Sequence, residues 1–397
     1  MNIPSSNEIE THLLDALQKR AGLTFRLDII NKCNLRCIMC AYSDDAVFRR
    51  PIKLFTPQEF EDLFKGISQY VRNIMLSCSD EPLASKHFVD ILDIVSRYPP
   101  TRDISLCTNA MLMRPRISSL FIEKGVTNLM LSMDGATQSS QERIRVGSKY
   151  EQVVRNIKVL RDLKNATGSK YPIMTLNFVM MNSNIHETPA FVEMASLLGV
   201  NSIDFRHVVP TGYWNDETEI LGNHQAKYNF YHDEIMQASR KFEIEVLAPQ
   251  PFETAESWKP EGNGIPHVDL SDFNGVKVDH EAELPTLPEP KVFPENFPEG
   301  PSIPEEFPGV YCHRPFSDIQ IRNLEEVMPC PWHKTTLGNL NDGKSLREVF
   351  FGPEFTRLRK NMYSPEGDPN CQGCIEKAWA AERKRTSDEE EPPPQNP

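Results

Sequence analysis

The chain has 397 residues and a formal net charge of −13, with 25% charged and 39% hydrophobic residues. That is a globular composition with room for one large core and a smaller second unit. An acidic surface gains nothing from a polyanion, which excludes non-specific nucleic-acid and anionic-membrane binding, and no apolar run approaches the roughly 20 residues of a membrane span.

The opening "MNIPSSNEIETHLLDALQKR" lacks the basic-then-apolar layout of a signal peptide and reads as an amphipathic N-terminal helix within residues 1–23. A cytoplasmic location with reduced thiols is therefore expected. Nine cysteines, an odd count, then point to metal ligation rather than disulfides.

From residue 24 to about 235 short β-rich runs alternate with helical patterns. "LTFRLDII" leads into "TPQEFEDLFKGISQYV", where Thr56, Pro57 and Glu59 form a capping box with proline at the first helical position. Phe60, Leu63, Phe64, Ile67 and Val71 recur on one face of that helix. Further strands are expected at "NIMLSCS", "DISLCTN", "NLMLSMD", "MTLNFVMM" and "SIDFRHVV", with helices between them. Their nearly continuous apolar runs suggest strands covered on both faces. Six βα units with right-handed crossovers make an α/β fold, a partial (βα)6 TIM-like barrel too small to close.

Residues 236–309 change character. Twelve of the 32 prolines fall within 249–308, so an extended, acidic connector is expected, either a solvated linker or a lid. A compact cysteine-bearing segment follows over 310–380, then a tail, 381–397, with a disordered composition.

Cys33, Cys37 and Cys40 stand in "IINKCNLRCIMCAY", on the loop after the first strand. In parallel barrels that is the end where chemistry occurs. A zinc site lacks its fourth ligand, because no further Cys or His lies within twenty residues. Three thiolates suit three irons of a cubane cluster, leaving the fourth iron open to chelation by an amine and a carboxylate.

This spacing, on the first loop of a six-unit barrel, resembles the radical S-adenosylmethionine (SAM) superfamily. The resemblance implies a [4Fe-4S] cluster whose open iron binds SAM and a 5′-deoxyadenosyl radical that removes a hydrogen atom from substrate. "SCSDEPL" (77–83) matches the family's G-G-E-P motif at Glu81 and Pro82, with Ser79 and Asp80 in place of glycines; the match assigns Glu81 to the SAM amine. "CTNA" (107–110) is similar to the family's T-N-G and contributes Asn109. "LSMDGATQSSQERIRVGSKYEQVVRNIKVL" (131–160) resembles the fourth strand and its helix. It assigns Ser132 and Arg145 to the SAM carboxylate, or Ser132 to the ribose. Asn177 on the fifth strand is a further candidate, and Met39 stands where an aromatic usually meets adenine.

Cys312, Cys330, Cys371 and Cys374 form a second group, C-x17-C and then C-x2-C. Spacing alone leaves zinc and iron–sulfur both open. The surrounding "CHRPF", "VMPC", "LGNL" and "SLREVF" resemble the SPASM auxiliary-cluster domain, closest to its shortened one-cluster "twitch" form. That implies an auxiliary [4Fe-4S] cluster with all four irons held by protein.

Two cysteines remain. Cys78 and Cys107 read either as small buried residues or, Cys78 first, as a thiol that returns a hydrogen atom to a substrate radical. His207, Tyr213 and Trp214 follow the sixth strand and face substrate or lie on a surface loop. About 30 residues precede Cys33, fewer than a leader-peptide-binding domain needs. The expectation is an oxidoreductase acting on a small molecule, sugar- or aminocyclitol-like, with flavodoxin or ferredoxin as electron donor. An epimerase, a peptide maturase and a non-catalytic iron–sulfur or zinc protein are the alternatives.

Overall fold

A computed structural model describes residues 4–18, 22–98, 103–254, 256–260, 267–279, 287–291, 312–364, 367–371 and 374. The opening amphipathic pattern forms α1 (Ser6–Gln18), whose Ile9, Leu13, Ala16 and Leu17 are buried on one face. It packs against a helix near the other end of the chain, Pro353–Asn361.

The alternating region forms β1 (Leu23–Leu27), β2 (Val71–Met75), β3 (Asp103–Thr108), β4 (Asn128–Ser132), β5 (Ile173–Met180) and β6 (Ser202–His207). All are parallel and adjacent in that order. Between them run α2 (Pro57–Lys65), α3 (Phe88–Arg97), α4 (Pro115–Lys124), α5 (Gln138–Ile144), α6 (Tyr150–Thr167) and α7 (Thr188–Leu198). The capping box of α2 is complete: Glu59 N donates to Thr56 Oγ1 at 3.3 Å and Thr56 N to Glu59 Oε2 at 2.8 Å.

The structure departs from the expected sheet in two ways. First, the strands are not covered equally on both faces. Along β3 and β5 buried and half-buried residues alternate, because helices cover one face while the other, with Ser105, Cys107, Thr175 and Asn177, lines an accessible lumen. Second, among the described residues the sheet has ten strands. α8 (Gln225–Phe242) continues past residue 235 and is followed by β7 (Glu245–Leu247), parallel to β6. At the opposite edge β8 (Asp318–Arg322) pairs in parallel with β1, from Thr24↔Asp318 to Leu27↔Ile321. β9 (Glu326–Met328) and β10 (Gly338–Asn339) extend it antiparallel. The C-terminal segment is thus joined to the core by main-chain hydrogen bonds, with Asp318 held by Arg26 at 3.3 Å and Arg314 at 2.8 Å. The strand order is linear, so the sheet stays open.

The described parts of the connector lie against the outer helices. Asn229 on α8 exchanges two 2.8 Å hydrogen bonds with the Phe252 backbone. Lys158 on α6 donates to the carbonyls of Phe273 and Val276 at 3.0 and 2.7 Å. Among the described residues the short helix Ser271–Gly275 interrupts the extended chain. Most of the proline-rich 280–311 stretch and the 381–397 tail lie outside the described residues.

Candidate active site

The loop after β1 is fastened at several points before it reaches the cysteines. Asn31 N donates to the Lys53 carbonyl at 3.0 Å, and Cys40 N to that of Cys37 at 3.0 Å. Arg36–Cys37 pairs antiparallel with Arg145–Val146, with Cys37 opposite Arg145. This two-residue ladder carries the guanidinium from the end of α5 to the cluster loop, where Arg145 Nη1 stands 3.9 Å from Cys37 Sγ. The turn that starts α5 needs Gly135, because a Cβ there would lie 2.6 Å from Gln141 N and 2.8 Å from Ser140 Cβ.

Cys33, Cys37 and Cys40 line one cavity of about 360 Å³ at the C-terminal ends of the strands. Met39, Cys78, Glu81, Cys107, Asn109, Ser132 and Arg145 share its wall. Asn177, on the same lumen face, is not among its lining residues; its Nδ2 lies 3.9 Å from Cys107 Sγ. His207 packs instead between Tyr228 and Phe252, at ring-centroid distances of 4.5 and 5.4 Å. Trp214 joins the small apolar cluster that includes Met39 and Val179, and Tyr213 is exposed.

The electrostatics of the wall are specific. Burial pushes the Cys33 thiol up to about 12 and the Cys37 thiol up to about 11. Buried thiols of this kind become thiolates only against a cation, and iron supplies one. Leu35 N at 3.4 Å and Asn109 Nδ2 at 3.8 Å already face Cys33 Sγ, as donors do toward cluster sulfurs. The donor set therefore fits a three-cysteine cluster.

Glu81 is buried and accepts from Thr108 Oγ1 at 2.8 Å, Asn109 N at 2.8 Å and Leu83 N at 3.1 Å. It ties the end of β2 to the end of β3. Burial pushes its carboxyl up to about 7, against three donors that favour the ionised form.

Sequence reasoning did not single out the anchors beneath these groups. Asp28, just after β1, collects the backbone N–H groups of Cys78, Ser79 and Asp80 on one oxygen at 2.6, 3.0 and 3.2 Å. Asp80, one of the residues in a glycine's place, turns aside to Tyr42 and to Arg50 at 3.1 Å. Asp134, fully buried, pairs with Arg145 Nε at 2.8 Å and accepts from Val179 N at 2.8 Å. Lone acidic residues beside strand ends carry no spacing signal.

The C-terminal cysteines gather by tertiary folding. Burial comes first, then Asp368, then the sulfurs of Cys330, Cys312 and Cys374, in pushing the Cys371 thiol up to about 12, so the other three sulfurs lie within electrostatic range of it. Backbone N–H groups of Trp332 and His333 face Cys330. This donor set too fits an iron–sulfur cluster.

Comparison with known proteins gives two family matches: the radical SAM superfamily over residues 27–195 and an iron–sulfur cluster-binding SPASM domain over 312–375, together more than half of the chain. A GTP 3′,8-cyclase of Aquifex aeolicus is 24% identical over 261 residues, 60% of this chain and 78% of the cyclase; another cyclase is spanned over 54% of its length. An AdoMet-dependent heme synthase of Methanosarcina barkeri is 24% identical over 362 residues, 88% of this chain and 90% of the synthase. Among solved structures, Streptococcus suis SuiB shares the fold with a TM-score of 0.57 at 13% identity, over 89% of this chain and 72% of SuiB. SuiB is also known bound to S-adenosylmethionine and to precursor peptide SuiA. Among the described residues no helix is long and apolar enough to cross a membrane.

Proposed function

Because the chain belongs to the radical SAM superfamily and carries a C-terminal SPASM domain, we propose that this enzyme oxidises a small organic substrate, sugar- or aminocyclitol-like, and hands the electron of the substrate radical to its auxiliary cluster. Its cofactors are S-adenosylmethionine, the [4Fe-4S] cluster that binds it and an auxiliary iron–sulfur cluster. When bound, SAM and the first cluster supply the 5′-deoxyadenosyl radical that removes a hydrogen atom from substrate.

The chain's own residues hold and shield these groups. Cys33, Cys37 and Cys40 ligate three irons and leave one free; Leu35 N–H and Asn109 orient the Cys33 sulfur. Arg145 and Ser132 receive the SAM carboxylate, Glu81 the amine, and Met39 the adenine face. Asn177 acts on this wall through its contact with Cys107. Cys312, Cys330, Cys371 and Cys374 are the candidate donors of the auxiliary centre, and a flavodoxin or ferredoxin supplies the initiating electron. Losing a hydrogen atom, then an electron and a proton, the substrate is oxidised by two electrons. The observation that carries this reading is one cavity onto which three cluster cysteines, Arg145, Ser132 and Glu81 all open. A relative matched over 90% of its length bears the name of a heme synthase, which agrees with a small-molecule substrate.

A second reading rests on the Cys78 thiol in the same cavity wall: a hydrogen-atom donor there makes the enzyme an epimerase, on a small molecule or a peptide. Cys78→Ala abolishes turnover in that case and lowers it only severalfold in the first. The primary test is anaerobic reconstitution with iron and sulfide, then SAM and a strong reductant. 5′-Deoxyadenosine should form and a Cys37→Ala control should not make it; equal yields from both would sink the radical reading.

A further inference from the structure

Between Cys330 and His333 the chain makes a turn, "CPWH", whose tip the sites above do not use. His333 N donates to the Cys330 carbonyl at 3.5 Å, and Pro331 brings the fixed φ that suits the second position of such a turn. The ends of the turn are held in the protein: His333 is buried and Cys330 half-buried. Trp332, at the third position, is 74% exposed, the most exposed large hydrophobic side chain among the described residues. Tryptophan is ordinarily well buried, so an indole left in water asks for a partner.

The turn also touches the auxiliary site. The backbone N–H of Trp332 donates to the Cys330 sulfur, and the Cys374 sulfur lies within electrostatic range of it. Cys374 is the exposed one among the nine cysteines. Trp332 is thus one hydrogen bond from a candidate cluster donor, at a site that reaches the surface. The charge balance reverses here. Residues 312–364 carry eight Lys or Arg against six Asp or Glu, within a chain whose net charge is −13. Lys334, Thr335 and Thr336 follow Trp332 as exposed residues, and the half-exposed Arg314 acts on both Cys312 and Cys330.

We propose that Trp332 and the turn around it are the docking site for an acidic one-electron carrier protein, which removes the electron that each turnover leaves on the auxiliary cluster. This rests on the reading above that substrate oxidation delivers an electron to that cluster. One electron arrives per substrate and leaves before the next: the cluster returns to its oxidised state, the carrier is reduced by one electron, and no bond in this chain is made or broken. Electron-transfer encounters use small interfaces, and tryptophan is a favoured anchor of such contacts. The local excess of cations steers an acidic partner to this face, while the acidic remainder of the chain repels it elsewhere.

The test uses the full chain with Cys33, Cys37 and Cys40 all changed to alanine, reconstituted anaerobically so that only the auxiliary centre loads, then reduced and freed of reductant. Mixed with oxidised flavodoxin in a stopped-flow cell, it should pass one electron to the flavin at a rate that falls as salt rises. Trp332→Ala should slow this transfer about tenfold and weaken flavodoxin binding by calorimetry to match, with iron content and cluster spectrum unchanged. Trp332→Phe should keep most of the rate, and Leu197→Ala, at an exposed apolar residue of α7, all of it. Transfer to the small dye dichlorophenolindophenol, which needs no docking face, should not change in Trp332→Ala. In the chain with all its cysteines, dithionite-driven 5′-deoxyadenosine formation should be the same with and without the indole. A Trp332→Ala chain that reduces flavodoxin at the unaltered rate, or that slows flavodoxin and dye alike, overturns the docking site and leaves the electron-transfer reading intact. Failure of any cluster to form at this site overturns both.

Discussion

The two cysteine groups are built by opposite strategies. Cys33, Cys37 and Cys40 lie within eight residues of one loop, braced by strand ends that bring Arg145, Glu81 and Asn109 to them. Cys312, Cys330, Cys371 and Cys374 span more than sixty residues and meet only because β8 docks on β1 and Asp368 holds the 367–371 loop. A site on one loop keeps its donors together when its surroundings are disturbed. A site assembled from distant segments depends on every anchor.

Exchanging the damage between the two groups tests their independence. Cys37→Ala should abolish 5′-deoxyadenosine and reduce iron from about eight to about four atoms per chain. Cys312→Ala should lose similar iron yet still form 5′-deoxyadenosine, now without oxidised product. If Cys312→Ala also stops SAM cleavage, the two sites are not separable.

Arg145→Met should cost about 3–5 kcal/mol in chemical denaturation, because Asp134 would stay buried without its cation. Adding Asp134→Asn should recover most of that loss. No recovery in the double variant would mean that the ion pair is not what Arg145 contributes.

At the second group, Asp368→Ala removes an acceptor with four donors and should cost about 2–3 kcal/mol. Iron analysis should show the auxiliary centre depleted and the first cluster unchanged. Equal depletion at both would erase the contrast between local and assembled sites.

The smallest effect is expected at Asp28→Asn, which keeps the acceptor oxygen for three N–H groups but removes its charge. A loss of about 1–2 kcal/mol and a severalfold rise in the KM for SAM are expected, with kcat little changed. A fall in kcat alone would show that the 78–80 loop acts on chemistry rather than on binding.

Much of this architecture could be read from residue order. The six parallel strands, the α2 capping box and the three-cysteine loop depend on patterns a few residues long. β7 escaped notice because three residues carry no periodicity, and the expectation of strands buried on both faces failed because the lumen side is lined by small and polar residues. Asp28 and Asp134 gave no signal, since an acidic residue after a strand reads as ordinary turn chemistry.

Residue order alone determined the chemistry on offer: soft thiolates at a loop spacing that leaves an iron free, at the end of a parallel sheet where side chains converge. Tertiary structure decided which groups face those thiolates. Arg145 reaches Cys37 through a ladder spanning 108 residues of chain, and Cys330 comes within electrostatic range of Cys371 across a fold no local pattern encodes. The physical reason is one of range. Ligand spacing and hydrogen-bond periodicity act over a few residues, whereas burial of a charge or a lone pair is fixed only once distant segments have packed around it.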